Sequence, residues 1–168
     1  MRLRPLEKKD APAILEWMKD GEINQFFRFD PEKVTLDSVE GFIKTSLGEE
    51  HVHYAVADDQ DAYLGTVSIK NIDREARNGE YAISLRKEAH GTGAALFATR
   101  GILEIAFHDL GLERVYLNVL SKNERANAFY RKFGFIYEGE FKKHLMIRGE
   151  LKDLKWYRML KEEYEKLA

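Results

Sequence analysis

The segment from Gly79 to Leu120 constrains the fold of this chain more than any other part of the sequence. Gly79–Arg86 (GEYAISLR) and Arg114–Leu120 (RVYLNVL) are rich in the β-branched and aromatic residues that favour strands. Between them lie a loop with two glycines and a long apolar run, Ala94–Leu110, which predicts a helix covered on two sides. Strands joined by a helix of this length run parallel, with a right-handed crossover. The sequence therefore predicts a sheet that contains a central parallel pair.

Strand and helix patterns continue on both sides of this unit. Predicted strands are Met1–Leu6, His51–Ala57, Tyr63–Lys70, Phe135–Phe141 and Leu151–Met159, the last two forming a hairpin. Predicted helices are one that follows the N-cap Asp10, then Leu36–Leu47, Asn123–Phe133 and a terminal turn, Lys161–Leu167. No linker or low-complexity tract interrupts the chain. Residues 1–168 are therefore interpreted as a single domain of the α/β class, with a mixed sheet and helices on both faces.

Composition excludes several classes of function. The chain has no cysteine, which rules out disulfides, zinc–thiolate sites and a cysteine nucleophile and fits a cytoplasmic location. A formal net charge of −2 lacks the basic surplus of nucleic-acid binders, so no nucleic-acid partner is expected. No apolar run reaches the roughly 20 residues that cross a membrane. His51, His53, His108 and His144 do not pair with carboxylates at a metal-ligand spacing, so no metal is expected.

The loop between the predicted strand and the long helix favours an anion. In Leu85–Leu96 (LRKEAHGTGAAL), Gly91 and Gly93 let the backbone adopt conformations forbidden to other residues and let a ligand approach closely. Free N–H groups and the helix dipole then attract negative charge. A Rossmann fingerprint fails because Leu96 replaces its third glycine, and a P-loop fails because it lacks Gly-Lys-Ser/Thr. A tight turn without a ligand stays the alternative explanation.

Two motifs together resemble a known superfamily. His90–Ala95 (HGTGAA) resembles the pyrophosphate signature Gln/Arg-x-x-Gly-x-Gly/Ala of the GNAT superfamily of N-acetyltransferases, with His90 departing from the usual Gln or Arg. Asn123–Phe135 (NERANAFYRKFGF) resembles the second GNAT signature, matched at Asn123, Ala126, Tyr130, Gly134 and Phe135. The first strand and the closing hairpin are similar to those of the ribosomal-protein (RimJ/RimL) and spermidine acetyltransferases. The resemblance extends over nearly the whole chain.

The resemblance implies a fold and a donor substrate. The fold would be a six- or seven-stranded mixed sheet in which two central parallel strands, Gly79–Arg86 and Arg114–Leu120, splay apart. Acetyl-CoA would enter the gap as acetyl donor, with its pantetheine along the first strand and its pyrophosphate on the glycine loop. The implied cofactor-binding residues are Ser84, Leu85, Arg86, His90, Gly91, Thr92, Gly93, Ala94, Ala95, Asn123 and Ala126.

The resemblance also implies catalytic roles. Glu80 matches the strand position of a general base, and Tyr130 matches the tyrosine that protonates the departing thiolate. The Leu85 amide would polarise the acetyl carbonyl. Glu80 could equally be a solvated strand residue with a water chain as the base, and Tyr130 a core tyrosine. Asn123 and a Ser121/Glu124 capping box are rival caps of the short helix.

The predicted reaction is transfer of acetyl to a primary amine of a small molecule such as a polyamine or amino sugar. Acidic residues near the expected acceptor region could attract a cation: Asp20, Glu22, Asp30 and Glu32. A protein N-terminal acetyltransferase of the ribosomal type and a non-catalytic acetyl-CoA-binding module are the alternatives. The sequence leaves the oligomeric state open, a homo-oligomer included.

Overall fold

A computed structural model describes residues 1–167, which contain one seven-stranded mixed sheet in the order β1-β2-β3-β4-β5-β7-β6. The strands are β1 (Arg2–Pro5), β2 (Val52–Ala57), β3 (Tyr63–Asp73), β4 (Asn78–Leu85), β5 (Arg114–Leu120), β6 (Ile136–Ile147) and β7 (Glu150–Leu160). The helices are α1 (Ala11–Lys19), α2 (Gly21–Asn24), α3 (Leu36–Lys44), α4 (Ala94–Glu104), α5 (Glu124–Phe133) and α6 (Lys161–Glu165). None of the helices in this part of the chain is long and apolar enough to cross a membrane.

The central strands β4 and β5 are parallel, and they separate part of the way along. They pair only where Asn78–Glu80 face Arg114–Tyr116. Beyond Glu80, β4 stays paired with β3 on its outer edge, and β5 stays paired with β7. The two inner edges have no strand between them, which confirms the predicted mixed sheet with two splayed parallel strands.

Side chains alternate along β4, so the gap between β4 and β5 has two faces, and different helices cover each face. Tyr81 and Leu85 are buried in a core that also contains Ile102 of α4 and Tyr130 of α5, and we call this side the α4 face. Successive strand residues point to opposite sides, so Glu80, Ala82 and Ser84 lie on the other side, the α1 face. There α1 packs its Ile14 and Trp17 in a second core cluster, which also buries Ala55 and Tyr63.

Several element boundaries differ from the sequence-based prediction. The predicted helix Ala94–Leu110 is α-helical only to Glu104 and continues as a π-helical turn, Ile105–Asp109. In this turn the consecutive residues Ala106 and Phe107 are both buried, and Phe107 packs on Tyr164 with ring centroids 5.4 Å apart. The closing strands are longer than predicted, because pairing continues to Ile147↔Glu150, beyond the edge of β5.

The end of this hairpin reaches across the α1 face. We call residues 142–152 the hairpin arm. At its tip Arg148, with a φ of 46°, donates from both terminal guanidinium nitrogens to the Asn24 carbonyl at the end of α2 (3.4 and 3.3 Å). The neighbouring Ile147 is buried. The hairpin arm and α2 are therefore joined over the side of the gap on which Glu80 lies.

Candidate active site

The loop at the head of α4 presents unpaired N–H groups. Gly91 and Gly93 have φ values of 75° and 86°, in the left-handed region that favours glycine. Among the described residues, the N–H groups of Gly91, Gly93, Ala95 and Leu96 form no hydrogen bond, and that of Ala94 has only a long contact of 3.4 Å with Thr92 Oγ1. A Cβ built on either glycine would meet nothing within 4 Å. The loop is therefore an open cradle of donors with the positive end of a helix dipole behind it.

The inner edge of β4 is also free to bind an extended ligand. The Arg86 N–H donates to the Leu64 carbonyl of β3 (2.9 Å), so the Leu85 N–H, one residue before it, points into the gap. Edge groups of this kind pair with amide groups such as those of pantetheine. The donor cradle and the free edge thus fit acetyl-CoA, which supplies the thioester when it is bound.

His90 occupies a place that the sequence did not predict. Its Nε2 lies 3.2 Å from the Leu85 carbonyl, and its Nδ1 lies 3.4 Å from a guanidinium nitrogen of Arg125 at the start of α5. A neutral imidazole protonated at Nε2 satisfies both contacts, since it donates to the carbonyl and accepts from arginine. The side chain therefore links the end of β4 to α5 across the mouth of the gap rather than pointing to the anion cradle.

Three other predicted cofactor residues differ in where their side chains point. Arg86 turns away from the loop and pairs with Glu16 (3.1 Å) and Glu88 (2.7 Å), so a cofactor contact would have to come from its backbone. Thr92 Oγ1 donates to the Ala89 carbonyl (2.6 Å) and closes the turn. Ser84 is half-buried on the α1 face, where the acceptor rather than the pyrophosphate would approach.

Glu80 lies at the point where β4 and β5 separate, and fixed donors hold its carboxylate. Asn71 Nδ2 donates to Oε2 (2.7 Å) and Asn118 Nδ2 donates to Oε1 (2.9 Å), while Lys70 Nζ lies 3.8 Å from Oε1. The side chain is only 15% exposed. Its charge also helps burial to raise the pKa of Tyr116, the residue beside it on β5. Glu80 is thus a positioned carboxylate and not a freely solvated strand residue.

Tyr130 lies across the sheet from Glu80, on the α4 face. Its ring meets that of Tyr81, the first β4 residue past the separation, with centroids 5.8 Å apart. Burial raises the pKa of Tyr130 well above its ordinary value, and the nearby Tyr81 hydroxyl opposes this in part. The phenol therefore keeps its proton at neutral pH and can act as a hydrogen-bond donor beside the gap.

Asparagine side chains fix the helix that carries Tyr130. Asn123 Oδ1 accepts from the Ala126 N–H (3.2 Å), so Asn123, and not the Ser121/Glu124 box, caps α5. The buried Asn127 donates to the Leu120 carbonyl (3.1 Å) at the end of β5 and accepts from the Tyr157 hydroxyl (2.8 Å) of β7. These bonds fix α5 to both strands on one side of the gap.

A groove of about 780 Å³ runs from Gly93 along α4, between α5 and α6. Arg100 and Lys132 are among its lining residues. Of the three basic residues of α5, Lys132 lines this groove, whereas Arg125 contacts His90 and Arg131 contacts the Tyr157 hydroxyl at 3.4 Å. We therefore propose Lys132 for the 3′-phosphate of CoA.

Sequence reasoning missed the residues that surround Glu80 and the one that holds the hairpin arm. Lys70 and Asn71 belong to β3 and Asn118 belongs to β5, and only the register of β3, β4 and β5 brings them to Glu80. The contact of Arg148 with Asn24 joins residues 124 positions apart. A single sequence carries no signal for either. Among residues 1–167, no group of three or more His, Cys, Asp and Glu side chains could hold a metal ion.

A split pair of parallel strands with a glycine donor cradle at one end defines a class of proteins that bind CoA thioesters. Comparison with known proteins agrees. Residues 1–136 match the family described as "Acetyltransferase (GNAT) domain". The putative ribosomal N-acetyltransferase YdaF of Bacillus subtilis (strain 168) is 29% identical over 97% of this chain and 92% of its own length. The spermidine N(1)-acetyltransferase of Vibrio cholerae is 27% identical over 98% and 95%.

Solved structures give the same result. The crystal structure of spermidine N-acetyltransferase from Vibrio cholerae in complex with CoA and spermine has a TM-score of 0.89 at 27% identity, covering 98% of this chain and 97% of that one. The chain belongs to the GNAT acetyltransferase family. It is an N-acetyltransferase that takes its acetyl group from acetyl-CoA and transfers it to an amine.

Proposed function

We propose that this enzyme acetylates a primary amine of an aliphatic polyamine, with Glu80 as general base and Tyr130 as general acid. The observation that carries the proposal is the position of the Glu80 carboxylate, fixed at the separation of β4 and β5 on the α1 face. A carboxylate there attracts an ammonium group and can accept its proton, directly or through water. The relatives named as spermidine acetyltransferases support a polyamine as the acceptor.

The base and the acid would act from opposite faces of the gap. On the α1 face Glu80 would take the ammonium proton and pass it to solvent, and the neutral amine would then attack the acetyl carbon. As the C–N bond forms, Glu80 would accept the second proton that the nitrogen loses. The Leu85 N–H would hydrogen-bond the carbonyl oxygen, where negative charge develops. On the α4 face Tyr130 would donate to the sulfur as the C–S bond breaks. Acid and base then approach the reacting carbon from opposite sides of the sheet.

The covering of the α1 face favours a small acceptor over a protein N-terminus. Arg148 of the hairpin arm contacts both the carbonyl and the Oδ1 of Asn24, which narrows the approach to this side of the gap. A polypeptide would need an open groove there. Aromatic side chains on the same face, Tyr116, Trp156 and Phe141, can bind methylene groups and ammonium ions of a polyamine.

The acidic residues near α2 divide into two groups. Asp20 and Glu22 are paired with Lys87 at 3.1 and 2.8 Å, and this lysine lowers the pKa of Asp20. Asp30 and Glu32 have no salt bridge within the described residues. The attraction of a cation to this region would therefore come from Asp30 and Glu32 rather than from all four.

A panel assay of CoA release tests the function. The acceptors are spermidine, spermine, glucosamine and a short peptide with a free N-terminus. We expect kcat/KM for a polyamine to exceed that for the other acceptors by about tenfold or more. A preference for the peptide would replace the proposal with the ribosomal type, which the relative YdaF represents. Acetyl-CoA binding without turnover on any acceptor would leave a non-catalytic binding module.

Location and assembly belong to the same proposal. A cytoplasmic enzyme without a nucleic-acid partner is supported by the absence of cysteine and by the net charge of −2. Light scattering on the purified protein will determine whether it is a monomer or a homo-oligomer.

A further inference from the structure

Accessible surface in the middle of the sheet marks where an acceptor can reach the gap. Ala82 and Ser84 are only half-buried, although they lie on the central strand of seven. Their direct partners on β3, Ser68 and Thr66, are buried at 5% and 7% exposure. A central residue keeps accessible surface only where its neighbours leave room, so the separation of β5 leaves this part of β4 open, and Ala82 and Ser84 are its residues on the α1 face.

The strand register explains why the opening lies over Ala82. If the parallel pairing of Glu80 with Tyr116 continued, Ala82 would face Asn118, but the strands have separated and that pair does not form. Ala82 is also the smallest side chain in its row, which runs from His53 and Ser68 on one side to Asn118 and Trp156 on the other. A methyl group at this point leaves a depression between two polar walls.

The first wall is a hydrogen-bonded pair. His53 Nδ1 lies 2.6 Å from Ser68 Oγ, and its ring packs on Phe42 of α3 with centroids 4.7 Å apart. Burial, followed by the charges of His51 and Lys70, lowers the pKa of His53 to about 4. The imidazole is therefore neutral at physiological pH and adds no positive charge beside an incoming ammonium group.

The second wall combines an amide with an indole. Asn118 faces the depression and donates to Glu80, one row below Ala82. Beside it on β7, Trp156 packs against Tyr116 and Phe141 with centroids 6.2 and 5.0 Å apart. The indole N–H of Trp156 is buried and has no hydrogen-bond partner among the described residues. The aromatic face of this wall can bind the apolar part of an alkylamine and its charge.

We propose that Ala82 determines acceptor specificity, because its small side chain leaves the space in which the reacting amine sits above Glu80, between the Ser68–His53 wall and the Asn118–Trp156 wall. The site accepts an unbranched primary alkylamine end. This inference rests on the proposed function and specifies which part of a polyamine enters. It separates the acceptor site, on the α1 face, from the donor site along the inner edge of β4.

A size series at one position tests the proposal. Ala82→Ser keeps the space, whereas Ala82→Val and Ala82→Leu fill it. With spermidine we expect Ala82→Ser to keep KM within about twofold of wild type, and Ala82→Val and Ala82→Leu to raise KM about tenfold or more. Acetyl-CoA affinity, measured by calorimetry, should stay within about twofold in all three, because the methyl points away from the cofactor edge.

A substitution of Trp156 tests the second wall. Trp156→Leu removes the indole face, and we expect kcat/KM for spermidine to fall more than that for propylamine, which is too short to cover the wall.

Wild-type KM for Ala82→Leu, or equal loss of acceptor and acetyl-CoA binding, would overturn the proposal. If Ala82→Leu fails to fold, Ala82→Val decides. If wild type acetylates no polyamine, the proposed function fails instead, and the same size series is measured with the amine that the panel identifies.

Discussion

At the residue scale, Glu80 and Tyr130 lie in contrasting surroundings, one polar and one aromatic. Glu80 is held by two amide donors, and Lys70 Nζ lies 3.8 Å from its carboxylate. Tyr130 is buried among aromatic rings, including those of Tyr81 and Phe135, which favours the protonated phenol. These surroundings, and not residue type alone, support the proposal that Glu80 accepts a proton and Tyr130 donates one.

Removal of the Tyr130 hydroxyl should affect turnover and leave binding intact. Tyr130→Phe keeps the ring packing, so kcat should fall by about 10²–10⁴-fold while acetyl-CoA affinity barely changes. Tyr137→Phe is the control, since it removes another phenol hydroxyl from an exposed tyrosine on the edge strand β6, away from the gap and from the groove beside α4. Steady-state rates that are the same for the two variants would return Tyr130 to the role of a core residue.

Substitution of Glu80 should give a loss of activity that depends on pH. An alkylamine titrates near the lysine value of about 10.4, so almost all of it is protonated at neutral pH and needs a base. Glu80→Gln should therefore lower kcat most near pH 7, and the loss should shrink toward pH 9.5 as neutral amine becomes available. Glutamine also presents an N–H₂ group to an asparagine donor, which breaks one of the two bonds seen here.

The control for this prediction is Glu138→Gln, because Glu138 is a carboxylate on the edge strand that pairs with Arg158 (3.6 Å) and not with the site. Rates from pH 6.5 to 9.5 distinguish the two variants. If both keep the wild-type profile, the base is a water chain and Glu80 only orients the acceptor. A rise in KM alone would mean that the carboxylate attracts the cation without taking its proton.

At the element scale, we propose that the glycine loop and α4 bind the pyrophosphate as one unit. In Gly93→Val the side chain would project into the open space over the free amides, and the residue would be strained at a φ of 86°. Gly111→Val is matched to it, because Gly111 at the other end of this helical segment also has a positive φ, 67°, and open space around it. Both variants should lose similar stability, and only Gly93→Val should lose acetyl-CoA binding. Calorimetry that finds equal affinity in the two variants would exclude the loop as the pyrophosphate site.

The contact between the hairpin arm and α2 should control acceptor size. Arg148→Ala removes the bonds to Asn24 and should raise KM for spermidine several-fold, with acetyl-CoA affinity unchanged. It should also improve the relative rate with a peptide acceptor, because the α1 face opens. Arg74→Ala is the control, since Arg74 likewise donates to a backbone carbonyl, that of Glu49 (3.4 Å), on the surface. Unchanged acceptor selectivity would mean that the arm does not cover the site.

Elements were easier to predict from the sequence than the contacts between them. The strand–loop–helix–strand unit is correct because periodicity, glycines and crossover handedness all favour it. The closing hairpin was predicted, but its extension to Ile147 and the π-helical turn after Glu104 were missed, since both involve contacts with distant residues such as Asn24 and Tyr164. Local sequence patterns reflect local propensity, whereas these two features depend on tertiary packing.

At the scale of the whole molecule, the site forms where the pairing of β3, β4 and β5 brings side chains from different strands together. The sequence could indicate Glu80 and Tyr130 through motifs, but not that Asn118 and Lys70 surround the first, because side-chain placement across strands follows from register. It could identify the position of His90 in the loop, but not the turn of its ring back to the Leu85 carbonyl. Motifs fix residue types along the chain, and the fold decides which of them touch.

An ion cluster ties the N-terminal strand to the rest of the sheet. Arg4, only 8% exposed, donates to both oxygens of Asp10 (2.8 Å each) and to Asp61 (2.7 Å) in the turn between β2 and β3. Lys9 also bonds Asp61. These bonds, that to Lys9 first and that to Arg4 next, hold the pKa of Asp61 well below its ordinary value of 3.8. The cluster joins β1 and the start of α1 to β2 and β3.

The stability of the fold should therefore depend on the ionisation of Asp61. Because the folded pKa lies below the unfolded one, the ionised group stabilises the protein above about pH 4, and this contribution is lost as the pH falls further. Asp61→Asn should lower Tm near neutral pH, and the gap to wild type should narrow between pH 4 and pH 3. Asp109→Asn, which changes an exposed aspartate with no ion pair among the described residues, should show neither effect. Thermal unfolding followed by circular dichroism from pH 7 to pH 3 gives the comparison, and a gap that stays constant down to pH 3 would show that the charge of Asp61 does not hold the N-terminal strand.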